Sequence, residues 1–345
     1  MSHSIDELNA IVVFQWESIS DAFDKSNLFL GNGFSISLCN KLSYKSLFDK
    51  FKLTASSELL KVFSDFNTNN FELIIQILNN TEKVNEIINN ISNKIEPLRD
   101  ELRDGLIKTV QDNHPTHSEI YYPQLRSLGY ELLDFSDIFT TNYDVFLYKS
   151  ILQVISDFRD KKQEDPFIDY FYEAANPTEL KFSNSNPYSS ARSIYYLHGA
   201  LFLYVYRNQR STYKLRRLEQ LRLEYIQLIR REIENNNFPI FVAEGHANDK
   251  LSTINNNSYL SFCASKLQTS FRNITFYGFS FSEPDKHIVN FANKSHAKQV
   301  AISIYKGDKT LEELEKESSF FRNTFTNKDV VVYDSETLFH SLRSF

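Results

Sequence analysis

The sequence predicts an α/β protein built on a doubly wound, mainly parallel sheet. Short runs of β-branched and aromatic residues recur along the chain, and their near-continuous apolar character suits strands covered on both faces. Stretches with helical spacing of apolar residues separate these runs, and such alternation is typical of a parallel sheet. The predicted strands are Asn27–Leu30, Asp137–Thr141, Ile194–His198, Phe238–Ala243, Asn273–Tyr277, Val300–Tyr305 and Asp329–Tyr333.

The first two predicted strands are separated by about a hundred mostly helical residues. Isoleucine and leucine recur at spacings of three and four across 71–110, which indicates amphipathic helix. The segment is too long for a simple crossover. We therefore predict one domain over 1–345, with a helical insertion at about 41–130 and the sheet core at about 20–40 and 131–345.

Two later segments are predicted from spacing and composition. Leucine spacing predicts a helix at about 215–234, and the three prolines within 150–190 indicate a loop-rich excursion. The stretch Arg207–Arg231 holds eight Lys and Arg against two Glu. We interpret it as a solvated helix face rather than a nucleic-acid surface, because mixed charges lie nearby.

Composition argues against several classes of protein. The net charge is −6, whereas phosphate binding usually needs a basic surface. No apolar run approaches the roughly 20 residues that span a bilayer, and the first residues do not resemble a signal peptide. The only cysteines, Cys39 and Cys263, cannot build a four-thiolate zinc site and suit a reducing compartment. We expect a cytoplasmic protein without metal, membrane contact or direct nucleic-acid contact.

Ligands of open parallel sheets bind beyond the carboxyl ends of the strands, so the residues there are candidate site residues. The first strand is followed by Gly31-Asn32-Gly33-Phe34-Ser35, whose glycines let the backbone turn and approach a ligand. The loop departs from the dinucleotide fingerprint because Ile36 occupies the third glycine position. A plain turn is equally compatible with this pattern.

Polar residues also follow the next two strands. Thr140-Thr141-Asn142-Tyr143-Asp144 is more polar than a turn requires, although Asn142 or Asp144 could simply cap a helix. His198-Gly199 follows the third strand and falls at the same sheet edge as Asn142. A structural histidine and a catalytic one are equally compatible with this position.

Two later strand ends complete the set. One is Val242-Ala243-Glu244-Gly245, and the other runs from Tyr277 to Asp285. Gly278 and Ser280 could hold the ribose or phosphate of a nucleotide through backbone N–H and hydroxyl groups. Asp285 follows a proline and is compatible with a helix start that has no other role.

Taken together, these motifs resemble the sirtuin-like superfamily, whose fold is Rossmann-like. Gly31–Ser35 resembles the family's Gly-Ala-Gly-x-Ser loop, and Thr140–Asp144 its Thr-Gln-Asn-Ile-Asp motif, with the asparagine and aspartate retained. His198-Gly199 is similar to the catalytic His-Gly, and Gly278-Phe279-Ser280 to the Gly-Thr-Ser loop. The order along the chain is also the family order.

Throughout its length the chain resembles a bacterial sirtuin-like branch catalogued as a domain of unknown function. Members of such branches occur in anti-phage defence systems, where they deplete NAD⁺, often beside a partner ATPase. The resemblance implies NAD⁺ as substrate, a homo-oligomer, and a HerA-type hexameric ATPase as partner. It is carried by Phe29–Ser35, Phe71-Glu72, Ile138–Leu147, Tyr196–Tyr204, Val242–Gly245 and Tyr277–Ile288.

The chain departs from the sirtuin deacylases in two respects. It cannot build their four-cysteine zinc ribbon, and it lacks the basic, proline-containing segment that follows their glycine loop. Protein deacylation is therefore not expected. The resemblance leaves hydrolysis of the nicotinamide–ribose bond of NAD⁺ as the expected activity.

The resemblance also implies roles in that reaction. Asn142 is expected to hold the ribose and the water, and His198 to act as general base, because an ordinary histidine titrates near neutral pH. Asp144 would orient the amide pocket or support the developing positive charge. The NAD⁺-binding candidates are Gly31, Asn32, Gly33, Phe34 and Ser35 at the diphosphate, Gly278 and Ser280 at the adenosine, and the neighbours Tyr143 and Glu244.

Two other hypotheses stay open. The chain could sense NAD⁺ or ADP-ribose without turnover, or serve as a structural subunit of a defence complex. Retention of both Asn142 and His198 counts against a pure sensor. The sequence does not distinguish NAD⁺ from NADP⁺ or a linear from a cyclic product, and it does not reveal what would trigger the enzyme.

Overall fold

The computed structural model of the protein describes most of the chain. The described residues are 13–39, 44–67, 71–90, 94–113, 121–174, 179–185, 190–205, 211–216, 225–234, 239–242, 247–325 and 327–343. None of the helices among them combines the length and the apolar character needed to cross a bilayer.

The strands of the described residues form two sheets. They are β1 Asn27–Leu30, β2 Ile138–Thr140, β3 Phe167–Ile168, β4 Phe171–Glu173, β5 Glu179–Phe182, β6 Arg192–Tyr196, β7 Gly199–Tyr204, β8 Tyr213–Leu215, β9 Pro239–Phe241, β10 Ile274–Tyr277, β11 Gln299–Ile304 and β12 Asp329–Asp334. Seven of them make the main sheet, in the order β12–β11–β10–β1–β2–β6–β3, and all neighbours in it are parallel.

The main sheet confirms the predicted fold class, an α/β fold with a parallel sheet flanked by helices. All four residues of β1, the central strand, are buried, as expected for a strand covered on both faces. Six of the seven predicted strands lie in this sheet. The seventh strand of the sheet, β3, lies in the segment 150–190, so the prediction of a loop-rich excursion is wrong there. Much of this segment is instead helix Phe146–Asp160 and strands β3 to β5.

A smaller antiparallel sheet, in the order β4–β5–β8–β7–β9, was not predicted. The predicted strand at 238–243 exists as β9, but it pairs antiparallel with β7 instead of joining the main sheet. A short buried apolar run has the same pattern in either kind of sheet, which explains the error. The helix predicted from Leu215 is also wrong at its start, because Leu215 ends β8 and the described helix covers Tyr225–Glu234.

Helices cover the main sheet and fill the long connection between β1 and β2. They are α1 Trp16–Ile19, α2 Asn32–Leu38, α3 Tyr44–Phe51, α4 Ser57–Asp65, α5 Phe71–Ile87, α6 Ile95–Asn113, α7 Tyr122–Glu131, α8 Phe146–Asp160, α9 Tyr225–Glu234, α10 Ala247–Asn256, α11 Ser258–Gln268, α12 Lys286–Lys294, α13 Leu311–Thr324 and α14 Ser335–Leu338. Short 3₁₀ turns occur at Ser20–Phe23, Leu132–Asp134, Glu283–Asp285 and His340–Leu342.

The chain passes from the main sheet to the small sheet in a two-residue turn, Leu197-His198. The Leu197 N–H donates to the Thr140 carbonyl at 2.9 Å, and the His198 carbonyl accepts from Val242 N at 3.1 Å. Gly199 follows with φ +79°, and a Cβ there would overlap the backbone oxygen of Ile240. Glycine is therefore required where the chain changes sheets, and the turn fixes the backbone of His198.

Candidate active site

A cavity of about 940 Å³ lies along the carboxyl ends of the parallel strands. Residues that follow β1, β2, β6, β10, β11 and β12 form most of its wall, which is where open α/β sheets bind their ligands. Residues of α13 and of the segment after α14 complete the wall. Its volume is at the upper end of the roughly 300–1,000 Å³ that small-molecule sites occupy. The lining residues are Asn32, Gly33, Ile36, Ser37, Thr141, Asn142, Tyr143, Asp144, His198, Tyr277, Gly278, Phe279, Ser280, Asp285, Ser303, Ile304, Tyr305, Lys309, Glu317, Phe321, Ser335, Glu336, Phe339, Leu342 and Arg343.

The candidate site residues fall into three groups. Those that share the cavity wall are Asn32, Gly33, Asn142, Tyr143, Asp144, His198, Gly278 and Ser280. Gly31, Phe34 and Ser35 are buried directly behind this wall. Glu244 lies outside the described residues. The topology therefore brings the ends of four separate strands to one cavity.

Two hydrogen bonds from its amide hold the Asn142 side chain in place. Its Nδ2 donates to the Gly31 carbonyl and to the Ser35 hydroxyl, both at 2.9 Å. Because a carbonyl can only accept, these bonds fix which side of the amide is NH₂. The Oδ1 atom makes no hydrogen bond within the described residues and is left as an acceptor at the cavity. Toward a ligand the Asn142 amide is therefore left with acceptance alone.

Asp144 lies behind Asn142 and organises the loop. Its carboxylate accepts from the Ser35 hydroxyl and, at 2.9 Å, from the Phe146 N–H at the start of α8. Burial raises the pKa of this carboxyl, and the bonds from Ser35 and Phe146 oppose the shift. Asp144 therefore binds the first residue of α8 and, through Ser35, orients Asn142.

Backbone-to-backbone contact joins the glycine loop to the end of β10. Gly31 N donates to the Tyr277 carbonyl at 2.9 Å, and Gly33 N donates to the Gly278 carbonyl at 2.8 Å. A Cβ on Gly33 would lie 2.6 Å from the Gly278 Cα. These glycines are thus needed for loop packing. A diphosphate at this position would need donors other than these two N–H groups.

His198 is almost fully buried, with 1% of its surface exposed, yet it lines the cavity. Its Nε2 lies 2.9 Å from Nε2 of His287, and the two rings are within 22° of parallel. Burial holds the pKa of His198 well below its ordinary value, and the nearby Lys250 ammonium and His287 lower it further. The expectation based on an ordinary histidine pKa is therefore corrected, and His198 is neutral at pH 7.

A buried ion pair lies beside the two histidines. Lys250 Nζ donates to Asp285 Oδ1 at 2.9 Å, and the same oxygen is 3.9 Å from Nε2 of His198. Asp285 directly precedes α12, but its side chain makes no capping hydrogen bond. Asp285 does stand at a helix start, as expected, but the interpretation that it has no other role is wrong, because its carboxylate faces Lys250 and the histidines.

Sequence reasoning missed His287 and Lys250. Both lie on helices, α12 and α10, and their only local signal is a polar residue at a buried helical position. The acidic and basic run Glu283-Pro284-Asp285-Lys286-His287 after a buried strand would have been the best clue to His287.

The fold and the cavity define a class, that of doubly wound α/β proteins with a cavity at the carboxyl edge of the sheet, where such folds bind their ligands. Within it, the chain belongs to the family described as Domain of unknown function (DUF4917), whose family model matches residues 28–338. No curated protein matches the chain. The match extends from β1 to α14 and so includes every part of the cavity wall except Phe339, Leu342 and Arg343.

Replacing Ser35 with alanine is expected to lower the free energy of unfolding by about 1–3 kcal/mol, because the buried Asp144 carboxylate loses a donor. Ser37→Ala in the same helix is the matched control. Ser37 is exposed, so we expect a change of no more than about 0.5 kcal/mol. Urea denaturation of both variants measures the difference. Equal stability of the two would show that the Asp144–Ser35–Asn142 network contributes nothing to folding.

Proposed function

We propose that the protein hydrolyses the nicotinamide–ribose bond of NAD⁺. The observation that carries the proposal is one cavity of dinucleotide size, with the Asn142 amide oxygen and the His198 imidazole at the same end. Both groups come from adjacent parallel strands, β2 and β6. The sequence resemblance to sirtuin-like NADases supplies the chemistry that this pair would perform.

The strand order supports one orientation of the substrate. Asn142 and His198 lie on the β2–β6 side, Gly278 follows β10, and Tyr305 and Glu336 follow β11 and β12. We place the nicotinamide ribose at β2–β6 and the diphosphate near the β1 and β10 loops. The adenosine then extends toward β11 and β12. Asn32 is the proposed diphosphate donor, because Gly31 N and Gly33 N are engaged elsewhere. Ser280, which was expected at the adenosine, is proposed as a second diphosphate donor because it follows β10.

The proposed reaction breaks the bond between the ribose C1′ and the nicotinamide nitrogen. The bonding electrons leave with the cationic nicotinamide, which departs neutral, and positive charge develops on the ribose as in other glycosyl transfers. Asn142 Oδ1 accepts a hydrogen bond from the attacking water. His198 takes the proton that water loses as its oxygen bonds to C1′. The products are nicotinamide and ADP-ribose.

Sensing without turnover is the second candidate function, and two observations favour it. Both donor positions of the Asn142 amide are already used, and His198 is nearly inaccessible to solvent. A site of this kind could bind the dinucleotide while holding water out of reaction distance. Tight NAD⁺ binding without nicotinamide release would support this function over hydrolysis.

The proposed biological role follows from the same resemblance. NAD⁺ depletion in the cytoplasm would serve anti-phage defence, with the protein acting as a homo-oligomer beside a HerA-type hexameric ATPase. Such an enzyme needs an off state, because continuous hydrolysis would kill its host. We therefore expect activity to depend on a partner or on assembly.

The decisive experiment measures nicotinamide release from NAD⁺ by the purified protein, alone and with its co-expressed genomic neighbour. We expect release in at least the second condition, with ADP-ribose formed in equal amount. NADP⁺ offered in parallel tests the choice of substrate. Saturable NAD⁺ binding with no release in either condition would replace hydrolysis by sensing.

A further inference from the structure

The two buried histidines meet head-on. The Nε2 atoms are 2.9 Å apart and the ring centroids are 5.1 Å apart. The centroid distance is close to the Nε2–Nε2 distance plus the two ring radii, so the two nitrogens point at each other. A contact of this length requires one proton between the two nitrogens. One ring must therefore donate and the other accept.

We propose that His287 is a positioning residue that accepts a hydrogen bond from Nε2 of His198 and thereby presents Nδ1 of His198 to the cavity as the base. This inference rests on the proposed function for its catalytic meaning, but the hydrogen bond itself is independent of turnover. Nδ1 of His198 makes no hydrogen bond within the described residues. It is the ring nitrogen left for a ligand.

The surroundings favour this direction of the hydrogen bond. If His198 donates from Nε2, neutral His287 must carry its own proton on Nδ1. Nδ1 of His287 is buried and has no partner that meets hydrogen-bond geometry, and the Pro284 backbone favours a proton on the His287 ring. Because proline has no N–H, the Pro284 group beside the ring is a carbonyl, which can only accept. In the opposite direction an unprotonated Nδ1 of His287 would face this second acceptor, which is unfavourable.

Asp285 and Lys250 complete the cluster electrostatically. Both are buried, and as an ion pair they carry no net charge. The Lys250 ammonium disfavours a positive charge on His198, whereas the Asp285 carboxylate favours one on His287. When His198 takes a proton on Nδ1, the proton on its Nε2 can pass to Nε2 of His287. His198 is then neutral, and His287, protonated on both nitrogens, carries the positive charge. Charge and protons balance at each step.

A metal ion fits this cluster poorly, although His198, His287 and Asp285 place possible ligand atoms within 4.8 Å of one another. Two histidines on a tetrahedral zinc ion hold their nitrogens about 3.3 Å apart, with both rings directed at the ion. Here the nitrogens point at each other from 2.9 Å. The Lys250 ammonium also binds the only carboxylate of the set.

The hydrogen bond can be tested without substrate, by ¹⁵N NMR of the histidine rings in the full chain. His198→Gln and His287→Gln assign the signals. At pH 7 we expect two neutral histidines with complementary tautomers, protonated on Nε2 in His198 and on Nδ1 in His287. Independent titration of the two rings, the reverse tautomers, or a shift of both signals by added zinc ion would overturn the inference.

Activity then tests the positioning role. His287→Leu is expected to lower kcat for nicotinamide release by about 10- to 100-fold with little change in KM, as loss of a histidine-orienting partner does elsewhere. His287→Gln keeps an acceptor oxygen and should recover part of the loss. His296→Leu is the control, because His296 is exposed and stacks on Phe271. If the tautomers are complementary but no nicotinamide is ever released, the hydrogen bond is confirmed and the proposed function is excluded. Unchanged kcat in His287→Leu would remove the positioning role alone.

Discussion

Replacing His198 with alanine is expected to reduce nicotinamide release by about 10²- to 10⁴-fold, the contribution that a positioned general base makes. His198 is the base in the proposed reaction, and it is the one histidine of the cavity wall among the described residues. NAD⁺ binding should persist, because the proposed diphosphate and adenosine contacts come from other strands. Release is measured by chromatography and binding by calorimetry.

The controls separate chemistry from folding. His296→Ala removes an exposed histidine and should release nicotinamide at the wild-type rate. His198→Ala leaves Nε2 of the buried His287 without its partner, so a loss of roughly 1–3 kcal/mol of stability is expected. His198→Gln fills more of the same space and provides a second inactive variant. A folded His198→Ala protein with full activity would exclude His198 from the reaction.

Replacing Gly278 with alanine is expected to have the largest effect on the fold. Gly278 has φ +63°, which costs an alanine about 1–2 kcal/mol. The new Cβ would also lie 2.6 Å from the Gly33 Cα, and overpacking of this kind costs about 1–3 kcal/mol more. Relief requires the glycine loop to move away from β10. We therefore expect weaker NAD⁺ binding together with the lower free energy of unfolding.

Gly307 offers a matched comparison for this variant. It also has a positive φ, of +45°, but its added Cβ would meet only the ring of Tyr305, which is exposed and can move. Gly307→Ala should therefore show the backbone cost alone. Urea denaturation compares the two variants. Equal losses of stability would mean that contact between the glycine loop and β10 is not tightly packed in solution.

The main sheet was predictable because its strands are buried on both faces. Residues such as Leu28, Phe29 and Leu30 form an apolar run that amphipathic helices rarely show. An apolar run also predicted β9, Pro239–Phe241, but a short apolar run does not reveal which sheet a strand joins. Strand β3 has two residues, too few for any periodic pattern.

The candidate site was predictable only where residues follow a strand directly. Asn142 and His198 were found because polar groups interrupt apolar runs at positions that topology brings together. Lys250 and His287 reach the site from helices, where one polar residue on a buried face resembles any other. Their approach to His198 is set by the packing of α10 and α12 and leaves no local pattern in the sequence.

The two-residue turn between the sheets holds the backbone of His198 between two anchors. Leu197 is tied to β2 in the main sheet, and the His198 carbonyl is tied to Val242, directly after β9 in the small sheet. Because Leu197 and His198 are consecutive residues, the backbone at His198 has little freedom to move independently of either sheet. The position of His198 in the cavity wall therefore depends on how the two sheets lie against each other.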